Sequence, residues 1–533
     1  VPTGSGTSGH HLFIAPDRKD DAIPLDRTQT PRQPIADPGG FMMPDADFYS
    51  RHLRADPRIS NPAMVGWLLL ALSGCASIAP QPTDPVAVAI PAAWSGAPVS
   101  ATADPTALMQ WWSRFNDPLL SGLVGQALQA NLNIKSAEAA LQQARALRDV
   151  TAAALWPTVD GSGLAQRSRA DSHSANWFKV GLDASWELDF FGVNRSALAA
   201  SDATVQASAA RLGDVQVSMA AEVALSYIAL RGAQALLAIA NDNLTSQLET
   251  LQIAQWRLQA GLVTSLETEQ ARTETEQTRA LLPALQTSID QNRYALAVLT
   301  GQPPAALAMV LAAAGPLPQA APDLALSLPA ETLRQRPDVR AAEDQVTAAV
   351  ARVAQADAAL MPNFQIGGSL GLNALTLGAL TEGASVVSVL LASVSLPIFD
   401  GGALHAQVRA QQAALDQAWV AYQATVLTAL KEVEDALVAL RGDRERLLSL
   451  QRAAEAAGNA ALLARQRYSG GLIDFQTVLD TQRTQLRTQE SVASTRIALS
   501  SNHVRLYKAL GGGWQPADRA ASPPQDAPQA TRS

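Results

Sequence analysis

The stretch WFKVGLDASWELDF (177–190) alternates apolar and polar residues without a slip. Phe178, Val180, Leu182, Ala184, Trp186, Leu188 and Phe190 share one face, while Lys179, Gly181, Asp183, Ser185, Glu187 and Asp189 share the other. Side chains repeat every two residues along a strand, so the pattern predicts one over 176–190. FQIGGSLGLN (364–373) does the same, with Phe364, Ile366, Leu370 and Leu372 opposed to Gln365, Gly367, Ser369, Gly371 and Asn373. Less regular alternation predicts partner strands over 158–168 and 384–397, and the third strand over 363–375.

Everything around these strands carries a helical period. A helix is expected over about 131–155, broken by Trp156-Pro157. From Asn194 to about Ala260 no proline occurs, and at 1.5 Å per residue that helix could reach about 100 Å. Gly261 marks a turn, and a return helix runs to about Thr300 with a kink expected at Pro283. The plan then repeats, with helices over 337–360, 402–468 and 474–509. Sequence matches accompany it. NIKSAEAALQQARA (133–146) parallels DVRAAEDQVTAAVA (338–351) at a spacing of 205, and RLQAGLVTSLE (257–267) parallels RYSGGLIDFQT (467–477) at 210. Ordered matches with a small insertion between them imply a duplicated unit. The units are placed at 75–320, with strands 158–190 and helical hairpin 194–300, and at 321–510, with strands 363–397 and hairpin 402–509. A flexible tail is expected over 511–533.

Four alternating strands in a helical chain raise a packing problem. An ordinary half-buried hairpin on a helix is one solution. The other is a sheet whose apolar face meets lipid and whose polar face meets water, as in a membrane barrel. Four strands cannot close, and an open edge in lipid leaves backbone groups unpaired, so copies must associate. Three copies give twelve strands, while two give a narrow eight-stranded barrel filled by its own side chains. The helices are dense in alanine and only 5% of the chain is aromatic, which suits side-by-side helices better than the centre of a large globule. The fold class expected is therefore α+β, a long α-helical barrel continuous with a transmembrane β-barrel. A solvent-exposed coiled-coil rod is the alternative from composition alone.

Charge and candidate chemistry narrow the function. A net charge of −8 without a basic run argues against nucleic acid. No HExxH, GxxxxGK[ST] or GxSxG pattern occurs, so no enzyme, cofactor or metal site is expected. The single cysteine, Cys75, excludes an intrachain disulfide. It follows a short apolar run (63–74) of h-region length, and Leu72-Ser73-Gly74-Cys75 resembles a bacterial lipobox. Cys75 is then the lipidated first residue, with Ala76 and Ser77 favouring onward export to the outer membrane. Residues 1–62, rich in proline and charge, read as a disordered or misassigned extension.

The chain resembles the TolC-type outer membrane factor family, in its NodT-like lipoprotein branch that serves resistance–nodulation–division efflux systems. The residues carrying this are the lipobox, WWSRFNDPLLSGLVGQALQANLNIKSAEAAL (111–141), WELDFFGVNR (186–195), RPDVRAAE (336–343), LPIFDGG (396–402) and RYSGGLIDFQTVLDTQRT (467–484). The resemblance implies a homotrimer with a twelve-stranded barrel in outer-membrane lipid and a twelve-helix periplasmic tunnel below. It implies a passive exit duct fed by a periplasmic adaptor (membrane fusion) protein and an inner-membrane resistance–nodulation–division transporter. A lipid-anchored periplasmic coiled-coil adaptor or scaffold is the competing reading.

The same resemblance implies a periplasmic gate at the hairpin tips. Asp480 matches the acidic gate position, with Arg483 three residues on, and Tyr468, Gln476 and Glu267 stand nearby in the pattern. Ile473 and Thr477 replace an arginine and an aspartate that some members carry, and Gln476 replaces a hydrophobic plug, so neither of those devices is expected. Gly261, Leu262, Val263, Gly471, Leu472 and Ile473 are the expected adaptor-contact tips, with the four apolar side chains exposed.

Overall fold

A computed structural model describes residues 108–170, 173–320, 330–381 and 386–514. The expected extension (1–62), signal (63–74), lipidated Cys75 and the tail beyond Trp514 lie outside the described residues. In chain order the elements are α1 (Pro118–Ala130), α2 (Leu132–Ala153), β1 (Thr158–Ala170), β2 (His173–Leu188), α3 (Val193–Gln259), α4 (Ser265–Leu299), α5 (Pro337–Ala358), β3 (Asn363–Ala374), β4 (Val386–Ser395), α6 (Ala403–Ser469) and α7 (Phe475–Ala509).

The duplication is near-exact in length. α3 and α6 each have 67 residues, α4 and α7 each have 35, and α2 and α5 each have 22. The hairpin turns match as well. Gly261 (φ 69°) and Gly471 (φ 73°) take the left-handed conformation that glycine adopts at no steric cost. The N–H of Leu262 then donates to the Arg257 carbonyl at 2.8 Å, and that of Leu472 to the Arg467 carbonyl at 2.9 Å, closing both helix ends alike.

The long helices pack through small side chains. Ala203, Ala210, Val217 and Ala224 of α3 are buried, and Ala200, Ala207 and Ala221 form a second row. This seven-residue repeat keeps one seam against its neighbours and lets backbones approach closely. By hydropathy α3 passes as a membrane-spanning helix. Its length of about 100 Å, over three times a bilayer core, and its buried seam make it a packing helix instead. α4 runs through Pro283 as one element. Pro283 is exposed, so the missing N–H costs no buried hydrogen bond and the return helix continues through it, as expected.

The main core lies where α1, the Trp111–Phe115 turn and the C-terminal end of α7 meet the middle of α3. Trp111 is fully buried and stacks on Tyr507 with ring centroids 5.4 Å apart. Asp117 caps α1 through the N–H groups of Leu119 (2.9 Å) and Leu120 (3.0 Å), and accepts a 2.9 Å hydrogen bond from the Tyr227 hydroxyl. Helix α1 was not anticipated by the pattern of expected elements; its Leu120, Leu123, Val124 and Ala127 carry the burial. The first residues of the expected flexible tail also belong to this core. The Gly513 N–H donates to the Leu108 carbonyl at 3.0 Å, and Trp514 sits so close to Gly213 that a Cβ there would lie 2.2 Å from its Nε1. The half-buried indole and the Gly513–Leu108 bond together tie the segment to the core.

One tie recurs with different chemistry in the two units. Asn131 Nδ2 donates to the Leu299 carbonyl at 2.8 Å, fixing the start of α2 to the end of α4. At the equivalent place Arg336 Nη1 donates to the Ala509 carbonyl at 2.6 Å, and the same guanidinium pairs with Asp338 at 2.6 Å and Glu432 at 2.9 Å. Arg336 is 6% exposed. Arg336→Ala is expected to destabilise the fold by about 3 kcal/mol, because it strands a buried carbonyl and two carboxylates. Thermal unfolding of the detergent-solubilised protein measures this, and a melting temperature equal to the wild type would contradict it.

Candidate functional site

The four strands form one antiparallel sheet in the order β1-β2-β3-β4. β2 and β3 pair along their length, from Phe178↔Ala374 to Leu188↔Phe364, and so join the two strand pairs into the expected four-stranded wall. The β1–β2 hairpin is also longer and tighter than its polar sequence implied. Arg167 pairs with Asn176 and Arg169 with Ser174, because backbone ladders need no apolar side chains. β3 ends at Ala374, one residue short of expectation, and β4 ends at Ser395 rather than 397, while its expected start at 384–385 lies outside the described residues.

Cross-strand register sorts the faces. On one face lie Val159, Val180, Leu182, Ala184, Trp186, Ile366, Leu370, Leu372, Leu390 and Val394. Val159 is 64% exposed, Leu182 55%, Leu370 57% and Leu390 83%. On the other face, Lys179, Asp183, Ser185 and Glu187 are half-buried. There Ser162 Oγ donates to Asp183 at 2.7 Å, Lys179 stands 3.8 Å from Asp183, and Asn363 Nδ2 donates to Glu187 at 2.8 Å. The sheet is thus inverted relative to a soluble one: its apolar face is open and its polar face bonds inward. β4 explains its own weak alternation, since Val387, Val389 and Leu391 on the polar face stand opposite Gly371, Ser369 and Gly367, which leave room for them. Gly181 and Gly371 face each other so closely that a Cβ on Gly371 would lie 2.9 Å from the Val180 carbonyl oxygen.

At the far end of the hairpins a second cluster buries Ala254, Ala271, Ala464, Tyr468, Phe475, Val478 and Leu479. Polar links between the two hairpins surround it. Tyr468 Oη donates to Glu267 at 2.7 Å, and burial followed by this carboxylate pushes the phenol pKa well above its ordinary value. Arg257 Nη1 donates to the Tyr468 carbonyl at 2.6 Å while its guanidinium lies 4.4 Å from the Tyr468 ring centroid. Arg483 Nε donates to Glu274 at 2.6 Å, and Glu274 is only 5% exposed. Asp474 starts α7 by accepting from the Thr477 hydroxyl and N–H, both at 2.7 Å, and these bonds lower its pKa. Among the described residues no cluster of histidine, cysteine and carboxylate side chains could hold a metal ion.

The outer membrane efflux protein family model matches residues 123–302 and 328–512, one block for each unit. The chain belongs to the outer membrane efflux protein family. A solvent efflux pump outer membrane protein of Pseudomonas putida, SrpC, is 32% identical over 84% of this chain and 97% of its own. Nodulation protein T of Rhizobium leguminosarum bv. trifolii is 28% identical over 85% of this chain and 97% of its own. Among solved structures, the outer-membrane channel OprN superposes with a TM-score of 0.75 at 35% identity, covering 80% of this chain and 98% of that one. This efflux protein is accordingly an outer-membrane channel with helical and strand regions in one duplicated chain.

Several site residues expected from the sequence come together in the efflux protein's tip. Tyr468 meets Glu267 directly, and Gln476 Nε2 donates to Asp480 at 3.0 Å. Asp480 and Arg483, three residues apart, stand 3.6 Å from one another with Asp480 60% exposed, a secondary contact. Arg483 turns instead to Glu274, which the sequence reading did not single out. The signal was there: Glu274 follows Glu267 by seven residues, two helical turns along one face. Arg257, from the preceding helix, was missed because its partner is a backbone carbonyl. At the turns Leu262 and Leu472 are 67% and 77% exposed, and Gly261 and Gly471 are open. Val263 and Ile473, expected to be exposed, are half-buried, and Ile473 packs on the tip cluster.

Arg483→Ala leaves Glu274 buried without its guanidinium partner. Arg483 keeps 35% of its side chain in water, so the cost is expected at about 2 kcal/mol rather than that of a fully buried pair. Hydrogen exchange should quicken in residues 265–280 and 475–490 and leave the Trp111–Tyr507 core unchanged. Unaltered exchange at the tip would show that the pair does not hold the hairpins together.

Proposed function

We propose that three copies of this chain close a twelve-stranded barrel in the outer membrane over a helical tunnel, forming the passive exit duct of a tripartite efflux pump. The observation that carries the reading is the inverted sheet. An apolar face left open to solvent is unfavourable in water and favourable in hydrocarbon. β1 and β4 each have a partner on one side only, so their outer edges need strands from other copies before lipid can surround them. A lumen wide enough for solutes and lined by Lys179, Asp183 and Glu187 favours three copies over two.

Cys75 is the proposed site of lipid attachment. The duct takes cargo from a periplasmic adaptor coupled to a resistance–nodulation–division transporter, and Leu262 and Leu472, exposed on turns built around Gly261 and Gly471, are the proposed first contacts. Val263 and Ile473 support those turns from beneath. The gate is proposed at the ring of Asp480 residues, with Gln476 bracing Asp480 within each copy. Tyr468–Glu267 and Arg483–Glu274 hold the two hairpins of one copy together in the closed form. An adaptor that pries one hairpin from the other has these links, the Arg257–Tyr468 contact and a small apolar cluster to displace at the tip.

Purified protein should run as a heat-modifiable trimer and conduct ions across a planar lipid bilayer. Arg483→Ala should raise open probability several-fold, and Asp480→Ala by less, since Asp480 leaves the Arg483–Glu274 pair intact. A stable soluble monomer without conductance would overturn the duct. Conductance in which both variants equal the wild type would overturn the gate alone.

A further inference from the structure

The outward face of the sheet does not end where its apolar residues end. On β2 this face runs Leu188, Trp186, Ala184, Leu182, Val180 and Phe178, and from Trp186 to Phe178 it spans about the 9–11 tilted residues that cross a bilayer. Its lower limit is marked by aromatic residues. Trp156 and Phe190 are 72% and 57% exposed, and Trp186 Nε1 donates to the Leu155 carbonyl at 3.1 Å. Beyond Phe178 and its partner Ala165, the same face continues with Asn176 opposite Arg167 and Ser174 opposite Arg169. Directly opposite residues of an antiparallel pair point to the same side, so both arginines stand on the lipid side, two residues apart and about 7 Å from one another. Both are exposed, and neither has a carboxylate partner among the described residues. The hairpin overhangs β3 here, because Ala374, the last residue of β3, lies opposite Phe178 and so level with Ala165.

We infer that Arg167 and Arg169 form a binding site for the phosphate-bearing headgroup of an outer-leaflet lipid, a reading that rests on the chain being an outer-membrane channel. An arginine placed on a lipid-facing strand costs several kcal/mol at the bilayer centre and little at its edge, so its position at the end of the apolar band is tolerated. A guanidinium offers planar paired donors that match phosphate oxygens. Asn176 and Ser174 beside the arginines add neutral donors for the same oxygens or for sugar hydroxyls. The apolar band directly beneath supplies the surface on which that lipid's acyl chains would lie, which a soluble anion could not use. The inward side of this hairpin end carries Gln166, Ser168, His173, Ala175 and Trp177, so both arginines of the hairpin end lie on the lipid side.

The test uses the full-length protein in detergent, with purified rough lipopolysaccharide as probe and its enzymatically dephosphorylated form as control, read by thermophoresis. Each arginine beside an anionic headgroup contributes about fivefold, so Arg167→Gln with Arg169→Gln should weaken binding of the phosphorylated probe about thirty-fold. The dephosphorylated probe should bind wild type and variant equally, and binding of the phosphorylated probe by the wild type should weaken steeply with added salt. Arg167→Lys with Arg169→Lys, which keeps the charge and loses the paired donors, should fall between. Equal affinity of wild type and double variant for the phosphorylated probe would overturn the site, as would salt-independent binding. Displacement of the probe by millimolar inorganic phosphate would overturn the lipid as its ligand. Planar-bilayer conductance should be the same for all forms; its absence in the wild type would instead remove the channel reading.

Discussion

The pairing of backbone groups in hydrocarbon is the constraint from which the rest follows. A strand edge in lipid leaves N–H and C=O groups with nothing to bond, at several kcal/mol for each group. This chain builds a sheet with an apolar face turned outward and carries only four strands to do it, with β1 and β4 at open edges. Such an element is stable in a membrane only when further strands seal both edges. The proposed trimer is the answer to that requirement, and the sequence duplication supplies two strand pairs for each copy.

The helical region solves a different problem by the same repetition. Two 67-residue helices and two 35-residue helices have little aromatic bulk available to fill a globule. They pack instead through seams of alanine, glycine and valine, with large side chains gathered at the Trp111–Tyr507 core and at the Tyr468–Phe475 cluster. Between these two anchor points the contacts are small-residue seams and scattered hydrogen bonds, such as Gln482 to Thr250 at 2.8 Å. The Trp111 core is fixed by many buried side chains and by tethers at both units' ends. The tip cluster is smaller and leans on charged links. A structure arranged this way yields at its tip before it yields at its centre, as the proposed gate needs.

The tip also shows how one residue's role depends on its neighbours across space. Arg483 lies three residues after Asp480, which makes a routine pair along a helix surface. The structure gives it Glu274 from the other hairpin, buried and 2.6 Å away. The link between hairpins therefore runs through a carboxylate with little access to water, and the exposed Asp480 is left free of that duty. Tyr468 behaves likewise, since its hydroxyl reaches Glu267 across the same boundary while Arg257 covers its ring.

By itself the sequence determined the four strands and the long helices, the two-fold repeat, which face of each regular strand is apolar, and the family. The elements, the repeat and the strand faces rest on periodicity or spacing and the family on its motifs, all of which depend only on which residue follows which. The pattern in 177–190 told which face was apolar, and the repeats at 205 and 210 told which elements matched. What only the tertiary structure decided involves partners far apart in the chain. It joined β2 to β3, folded Trp514 back onto Gly213, and gave Asn131 and Arg336 the same task with different chemistry. It also turned Arg483 toward Glu274 and buried Val263 and Ile473 more than their turn position implied. A side chain's partner across space is fixed by how whole helices and strands dock, and no local period encodes that geometry.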